Sequence, residues 1–168
     1  MKAFKINDIK NFMNKLLVDK TFDSFLTNEI TITTFCNYHI DCHMNKNYYS
    51  KEELELMNEA DYPMDYISWS KIKPICFELI KGKKIPDKFK ITLSLPSAYY
   101  NSVLSDTSEN SATDIIDNLF IHITFENNSL SIITASSLKV FTMDKSIDTN
   151  WDNYIQKHLL SQFQFDEL

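Results

Sequence analysis

A short strand pattern reading Phe-Lys-Ile occurs twice in this chain, and each time a helix pattern and then a β-hairpin pattern follow it. The first copy begins at Phe4 and the second at Phe89. Two copies of one strand–helix–hairpin unit are typical of a pseudo-symmetric α+β domain. We therefore predict repeats at residues 3–44 and 88–146, separated by a helical insertion at residues 50–82.

The length and composition set the scale of the fold. With 168 residues the chain is long enough to bury a hydrophobic core, and we predict a single domain over residues 1–168. Aromatic residues make up 13% of the sequence and supply large apolar area for that core. The predicted fold class is α+β, with an antiparallel sheet or sheets of six to eight strands and with helices packed on one side.

Alternating apolar residues and turn residues predict the strands. Residues 30–33 and 38–41 alternate on either side of a short turn and predict the hairpin of the first unit. Residues 89–95 alternate as the first strand of the second unit. The pair Asn127–Asn128 predicts the turn of its hairpin, because asparagine tolerates a positive φ. Residues 138–143 predict a third strand of that meander.

Apolar spacing and capping residues predict three of the helices. Apolar residues recur on one face of a helix over residues 8–18. Ser50 and Glu53 form a capping box, in which each residue satisfies the backbone N–H of the other. Thr149 and Asp152 predict the cap of a final helix.

The helix predicted at residues 68–81 has the clearest apolar stripe of the chain. Gly82 follows it and predicts a left-handed stop at its C-terminus. Because proline is tolerated only in the first turn of a helix, Pro74 predicts that the regular helix begins between residues 70 and 73.

Two absences exclude whole classes of phosphate-binding site. Gly82 is the only glycine, so the chain has no glycine-rich loop of the Rossmann or P-loop kind. All 17 basic residues are lysine, so no bidentate guanidinium clamp on phosphate or on a guanine edge can form.

The cysteine content and the N-terminal residues predict a cytoplasmic protein. The N-terminal segment MKAFKINDIK has no apolar stretch of the kind that a secretory signal carries, and no apolar run is long enough to span a membrane. We therefore expect no membrane partner, and reduced thiols at Cys36, Cys42 and Cys76.

Three segments carry a resemblance to a known family: FKINDIKNFMNKLL, Trp69 with the IKPICFELIKGKK that follows it, and SLKVFTMDKSI. In these segments, and over nearly its whole length, the chain resembles a family of uncharacterised proteins from anaerobic Gram-positive bacteria. That family is a domain of unknown function, so the resemblance implies no activity.

The run from KFKITLSL through NLFIHITFENNSLSIITASSLKVFTMDKSI carries a second resemblance. It is similar to half of a domain of the DNA sliding clamps, in which two strand–helix–hairpin repeats are related by pseudo-symmetry. The resemblance implies a clamp-like fold, with residues 3–44 and 88–146 as the repeats. Two features depart from that family. A helix at residues 68–81 stands where a clamp has a short linker, and one domain cannot encircle DNA unless several copies assemble.

Lysines are concentrated in residues 71–90, which hold seven of the 17 lysines and only two acidic residues. The segment therefore has a charge of +5, which leaves −11 on the rest of a chain whose net charge is −6. Lysine side chains that bind phosphates release counterions, so this segment is a candidate binding surface. The alternative is a solvated helix face and an ordinary helix C-terminus, where the dipole favours cations. The lysines of the candidate surface are Lys71, Lys73, Lys81, Lys83, Lys84 and Lys88.

His39, Asp41 and His43 are weak candidates for metal ligands. On a strand these three residues share one face, and histidine with aspartate suits Zn²⁺ or another divalent ion. However, residues 39 and 43 lie about 13 Å apart along a strand, and no second cluster supplies the missing ligands. The alternative is a half-exposed strand with these polar residues outward, and we predict no cofactor.

Taken together, these features predict a non-enzymatic cytoplasmic binding or scaffold module whose partner is a protein. The first alternative is a clamp-like accessory of DNA transactions, for which Lys73, Lys83 and Lys84 should lie on one continuous positive surface. The second alternative is a metal-dependent enzyme that uses His39 and Asp41.

Overall fold

Alternating residues build one open antiparallel sheet in the computed structural model, which describes residues 1–59, 65–104 and 113–168. The strands run in the order β3-β2-β5-β6-β7-β1-β8, and β4 pairs with the start of β2. Their bounds are β1 Ala3–Ile6, β2 Leu26–Thr33, β3 Asn37–Asp41, β4 Ile67–Ser68, β5 Lys88–Ser94, β6 Ile116–Glu126, β7 Ser129–Leu138 and β8 Phe165–Glu167.

Five helices accompany the sheet in the described residues, and one face of the sheet carries the core. The helices are α1 Ile9–Leu17, α2 Lys51–Glu59, α3 Trp69–Ile80, α4 Tyr100–Val103 and α5 Ser146–His158. One row of fully buried side chains runs in register across five strands: Phe4, Ile132, Ile123, Ile91 and Ile30. Polar residues alternate onto the opposite face. The predicted α+β class and the predicted antiparallel sheet of six to eight strands are confirmed.

Two tryptophans hold helices in place through their ring N–H groups. The indole Nε1 of Trp69 donates to the carbonyl of Leu16 at 2.8 Å and so joins α3 to the end of α1. The indole Nε1 of Trp151 donates to the carbonyl of Phe120 at 2.9 Å and joins α5 to β6. Both rings are buried, so each indole adds a satisfied polar contact to its large apolar area.

Several local predictions are confirmed. α1 occupies the predicted range, and the β2–β3 hairpin falls on the predicted alternation. Asn127 and Asn128 have φ values of 52° and 58° in the β6–β7 turn, as the Asn-Asn signal requires. The Ser50 N–H donates to Glu53 Oε2 at 2.8 Å, and the Glu53 N–H donates to Ser50 Oγ at 3.2 Å. This capping box starts α2.

The sheet order does not confirm the predicted repeats at residues 3–44 and 88–146. β5 lies directly beside β6, the first strand of its own hairpin, whereas β7, β6 and β5 separate β1 from β2. α4 has four residues, whereas its counterpart α1 has nine. The two units therefore take non-equivalent places in one sheet. Residues 60–64 of the predicted insertion at 50–82 lie outside the described ranges.

Residues 138–143 do not form the predicted third strand of the meander. β7 ends at Leu138, and β1 lies along its outer edge with Phe4 opposite Ile132. Because β1 already pairs with the backbone groups of that edge, the prediction was wrong. The sequence carries no local sign that a strand 130 residues earlier takes this place.

α5 begins at Ser146, before the predicted cap residue Thr149. Asp144 accepts hydrogen bonds from the Ser146 N–H at 2.9 Å and from the Ser146 hydroxyl at 2.8 Å, and this pairing fixes the start of the helix. The other predicted cap residue, Asp152, is buried within α5 and accepts a hydrogen bond from the hydroxyl of Thr134. It therefore fastens α5 to β7.

Pro74 lies in the second turn of α3 and not in the first. The helix starts at Trp69 because β4 pairs with β2 immediately before it and the Trp69 N–H donates to the Phe25 carbonyl at 2.9 Å. Proline leaves the carbonyl of Ser70 without its helical donor. Ser70 is exposed, so water can supply the missing hydrogen bond. Among the residues described, no helix has the length and apolar character needed to cross a membrane.

On the polar face of the sheet, His122 is half-buried beside Thr92, with His122 Nδ1 and Thr92 Oγ1 3.0 Å apart. Burial lowers the pKa of His122, the nearby Lys90 lowers it further, and Glu29 acts in the opposite direction. In the unfolded chain this histidine has its ordinary pKa of about 6.5. The unfolded state therefore binds the extra proton first as the pH falls.

We expect acidification from about pH 7.5 to about pH 5.5 to lower the free energy of unfolding through His122, because its folded-state pKa lies below its unfolded value. Urea unfolding at both pH values should show a smaller loss for His122→Gln than for the wild type, since glutamine keeps a polar contact with Thr92 but does not titrate. A His122 pKa at or above the ordinary value in an NMR titration would contradict this expectation.

Candidate functional site

The chain leaves α3 through a seven-residue connection, residues 81–87, which we call the lysine loop. The last helical hydrogen bond runs from the Lys81 N–H to the Phe77 carbonyl at 2.8 Å. Lys81 is already extended, with φ −62° and ψ 149°, and Gly82 has φ +143°. The predicted left-handed stop at Gly82 is therefore wrong, although a positive φ of this size still favours glycine. The Asp87 N–H donates to the Thr33 carbonyl at 3.0 Å and closes the loop.

Three clefts meet at the lysine loop. The first, of about 680 Å³, lies between the loop and the β2–β3 hairpin, where Phe35 and Tyr38 form its far wall. The second, of about 510 Å³, lies between the loop and the β6–β7 turn. The third, of about 230 Å³, lies between α1 and α3, and we call it the apolar groove. Ile85 borders all three and is 65% exposed, so the loop tip presents an apolar side chain to solvent.

The apolar groove has helix walls, a floor on the sheet and lysines on its rim. Phe89 and Phe125 stack with their ring centroids 5.3 Å apart and form the floor. The side walls come from α1 and α3, with Ile9, Met13, Phe77 and Ile80. Lys81 and Lys84 border the same groove. An apolar side chain with acidic neighbours fits this combination.

Lys73 does not lie on the positive surface that its sequence position suggests. Its Nζ lies 2.5 Å from Asp23 Oδ1 and 2.9 Å from the Asp19 carbonyl oxygen, and its side chain is only 11% exposed. This ion pair ties α3 to the segment after α1. The role of Lys73 is therefore structural.

Three other lysines of the predicted surface already have partners. Lys71 Nζ lies 5.2 Å from the centre of the Tyr49 ring, a cation–π contact. Lys81 Nζ lies 2.7 Å from Glu78 Oε2 on the same helix end, and Lys88 Nζ lies 4.0 Å from Glu126 Oε1 across the β5–β6 pair. These contacts reduce the charge available to a ligand.

Lys83 and Lys84 are the lysines of the loop that remain available. Both are exposed, and neither forms an ion pair with any residue in the described ranges. Both border the first cleft, and Lys84 also borders the apolar groove. Together with Lys81 they make a compact positive surface on an otherwise acidic chain.

His39, Asp41 and His43 come together only in part. Asp41 Oδ1 lies 2.6 Å from His43 Nδ1 and also accepts the His43 N–H at 3.0 Å. The backbone hydrogen bond, followed by the side-chain contact, holds the pKa of Asp41 below its usual range. His39 Nδ1 instead lies 3.5 Å from Glu29 Oε1 on β2. In the residues that the structure describes, no three histidine, cysteine or acidic side chains group as metal ligands.

Sequence reasoning missed Glu29 as a neighbour of this cluster. It lies directly opposite Asp41 in the β2–β3 pair. The hairpin register could have revealed it, because a turn centred near residue 35 places residues 29 and 41 opposite each other.

The three cysteines are free thiols. Cys36 is exposed near the hairpin turn, whereas Cys42 and Cys76 are buried. Burial raises the pKa of Cys42 to about 11 and that of Cys76 to about 12. Because the thiolate is the nucleophilic form, both buried thiols are unreactive at neutral pH.

The chain belongs to a family of unknown function (DUF5721), which matches residues 15–166. No curated protein and no solved structure matches the chain. The match confirms the predicted membership of an uncharacterised family. The resemblance to a sliding clamp is not confirmed.

We expect Lys73→Ala to lower the free energy of unfolding by about 1–3 kcal/mol, because it leaves the partly buried Asp23 carboxylate unpaired. Lys84→Ala is the matched control and should unfold at nearly the wild-type urea concentration. Equal unfolding midpoints for the two variants would contradict the structural role of Lys73.

We expect Gly82→Ala to lower the free energy of unfolding by about 1–2 kcal/mol, because alanine is strained at a φ of +143°. Apart from Gly82 and its two chain neighbours, no residue has an atom within 4 Å of the added Cβ, so the loss comes from the backbone conformation. Thermal unfolding measures it, and Lys83→Ala on the same loop serves as the control. A midpoint unchanged from the wild type would argue against this backbone conformation.

Proposed function

We propose that this member of a family of unknown function is a non-enzymatic binding module of the cytoplasm, which holds an acidic, partly apolar segment of a protein on the lysine loop. The observation that carries the proposal is the position of Lys83 and Lys84, exposed and without a carboxylate partner in the described residues, at clefts with apolar walls. Charge at the rim and apolar area inside are the usual division of a protein-binding surface.

The charge distribution favours an acidic partner at this place. Residues 71–90 carry +5 and the rest of the chain carries −11, so an acidic segment is repelled elsewhere and attracted here. The exposed apolar side chains of Phe77 and Ile85 add area that a partner can cover. A peptide segment supplies both the charge and the apolar side chains.

A DNA contact is the second candidate, and the exposed lysines favour it. Three lysines on one loop could meet phosphates, and each neutralised phosphate of B-DNA would add about −0.9 to the salt slope. However, Lys73 is held by an ion pair with Asp23 and Lys88 lies opposite Glu126, so the loop lysines do not continue into a wider positive surface. No contact of the described residues supports the third candidate, an enzyme with a metal at His39 and Asp41.

A defined peptide tests the protein-binding proposal. The probe is a fluorescein-labelled helical peptide with glutamates and leucines repeated on one face. Fluorescence anisotropy should show that Lys83→Glu/Lys84→Glu weakens its binding at least about tenfold, because repulsion replaces attraction. Lys10→Glu/Lys157→Glu changes the same net charge at two exposed sites on α1 and α5 and should leave the affinity nearly unchanged.

Two further probes separate the candidates. A peptide with glutamine in place of each leucine should bind more weakly, because it cannot fill the apolar groove. A duplex DNA of about 20 base pairs should bind weakly if at all, with a shallow salt slope. Tighter binding of the DNA than of the acidic peptide, with a steep salt slope, would favour the DNA candidate instead. Equal binding of the peptide by both charge-reversal variants would refute the role of the loop.

A further inference from the structure

The helix α2 is an acidic amphipathic segment that packs closely against no other helix or strand of the described residues. We call it the acidic arm. Leu56 is 67% exposed, and Glu52 lies one turn before it on the same face, also exposed. The capping box of Ser50 and Glu53 forms the helix locally, so the arm does not depend on packing for its first turn. An exposed leucine beside glutamates is the kind of segment that the lysine loop suits.

The arm and the apolar groove are complementary in chemistry. The groove offers about 230 Å³ between Met13, Phe77 and Ile80, which is room for a leucine side chain. Lys84 at its rim is exposed and has no ion pair in the described residues, so it can meet a carboxylate one helical turn from that leucine. Leu56 and Glu52 supply both groups at this spacing.

The described residues of the arm do not line the apolar groove of their own chain. Tyr49, just before the arm, contacts Lys71 in the first turn of α3, whereas the groove opens beside the last turn and the loop after it. Lys71 and Ile80 lie nine residues apart along α3, a distance of about 14 Å. A second copy of the chain is not limited by this separation.

We propose that the partner held on the lysine loop is a second copy of this chain, whose acidic arm places Leu56 in the apolar groove and Glu52 against Lys84. The inference rests on the proposed function and names the partner of the same surface. Because Tyr49 before the arm contacts the first turn of α3 and the groove lies beside its last turn, two copies with antiparallel α3 helices exchange their arms. The contact then occurs twice and closes into a two-fold dimer.

The oligomeric state of the full chain tests the proposal. Sedimentation velocity from about 1 µM to about 1 mM should show a monomer–dimer equilibrium that shifts to monomer as the salt concentration rises. Leu56→Ala should raise the dimer dissociation constant at least about tenfold, because the anchor is lost in both contacts. Leu56 is exposed, so this variant keeps the fold, which circular dichroism checks. A wild type that stays monomeric over the whole range overturns the proposal.

A charge swap tests the specific pairing. Glu52→Lys alone and Lys84→Glu alone should each raise the dissociation constant about 25-fold, from about fivefold in each of two contacts. The double variant restores an opposite-charge pair in both contacts and should return to within about threefold of the wild type. Lys10→Glu is the control for net charge. If neither single variant changes the dissociation constant, the assignment is overturned. It is also overturned if the double variant does not recover the wild-type affinity.

The wild type and the Lys83 and Lys84 variants distinguish a failure of this inference from a failure of the proposed function. If the chain is monomeric but the acidic peptide binds and requires Lys83 and Lys84, the binding surface stands and the second copy is excluded as its partner. If the chain dimerises through the swap-sensitive contact, a saturating concentration of the peptide should shift the wild-type protein from dimer to monomer. If neither the peptide nor a second copy responds to Lys84→Glu, both proposals fail.

Discussion

A sheet with helices on one face must keep every strand in the same inward and outward alternation, and the rest of this structure depends on that constraint. A slip of one residue in any strand would turn its apolar side chains to solvent. β2 meets the constraint through an irregularity between Thr27 and Glu29, where its register against β5 shifts. The extra residue lets buried Thr27, Ile30 and Ile32 all face the core. Without it, the row of buried apolar side chains across five strands would be broken at β2.

The same core determines where a ligand surface can form. α1 and α3 are joined at one end by the hydrogen bond from Trp69 to Leu16. Along α1 and beside the last turn of α3 they leave the groove above Phe89 and Phe125. α3 then ends in the extended Lys81 and in Gly82, which carries the loop lysines away from the helix. The C-terminal end of α3 therefore supplies both an apolar wall of the groove and the lysines of its rim.

Local chemistry in the sequence predicted much of this fold. The Asn127–Asn128 turn and the Ser50–Glu53 capping box depend on residues close together in the chain, and both form as expected. Some predictions failed where a distant segment decided the outcome. β1 takes the edge of β7 that residues 138–143 were expected to occupy. Neither alternation nor propensity records which strand arrives at an edge from so far away.

The candidate surface shows the same division between local and distant causes. The concentration of lysines after residue 70 is visible in the sequence, and it led to the loop. The neutralisation of Lys73 is not visible, because its partner Asp23 lies 50 residues earlier on a different element. Glu29 was likewise missed as a neighbour of Asp41 because only the strand register brings them together. Charge counts along a chain therefore overstate the charge that a surface presents.

The pairing of α1 and α3 through Trp69 has a mechanical consequence. α3 is fastened to the end of α1 at Trp69 and to the segment after α1 at Lys73, and the groove lies beside its last turn. A rotation of roughly 5° about the Trp69 contact would move the far end of α3, about 18 Å away, by about 1.5 Å. The buried Trp69 indole therefore helps to position one wall of the groove, although it does not line the groove itself.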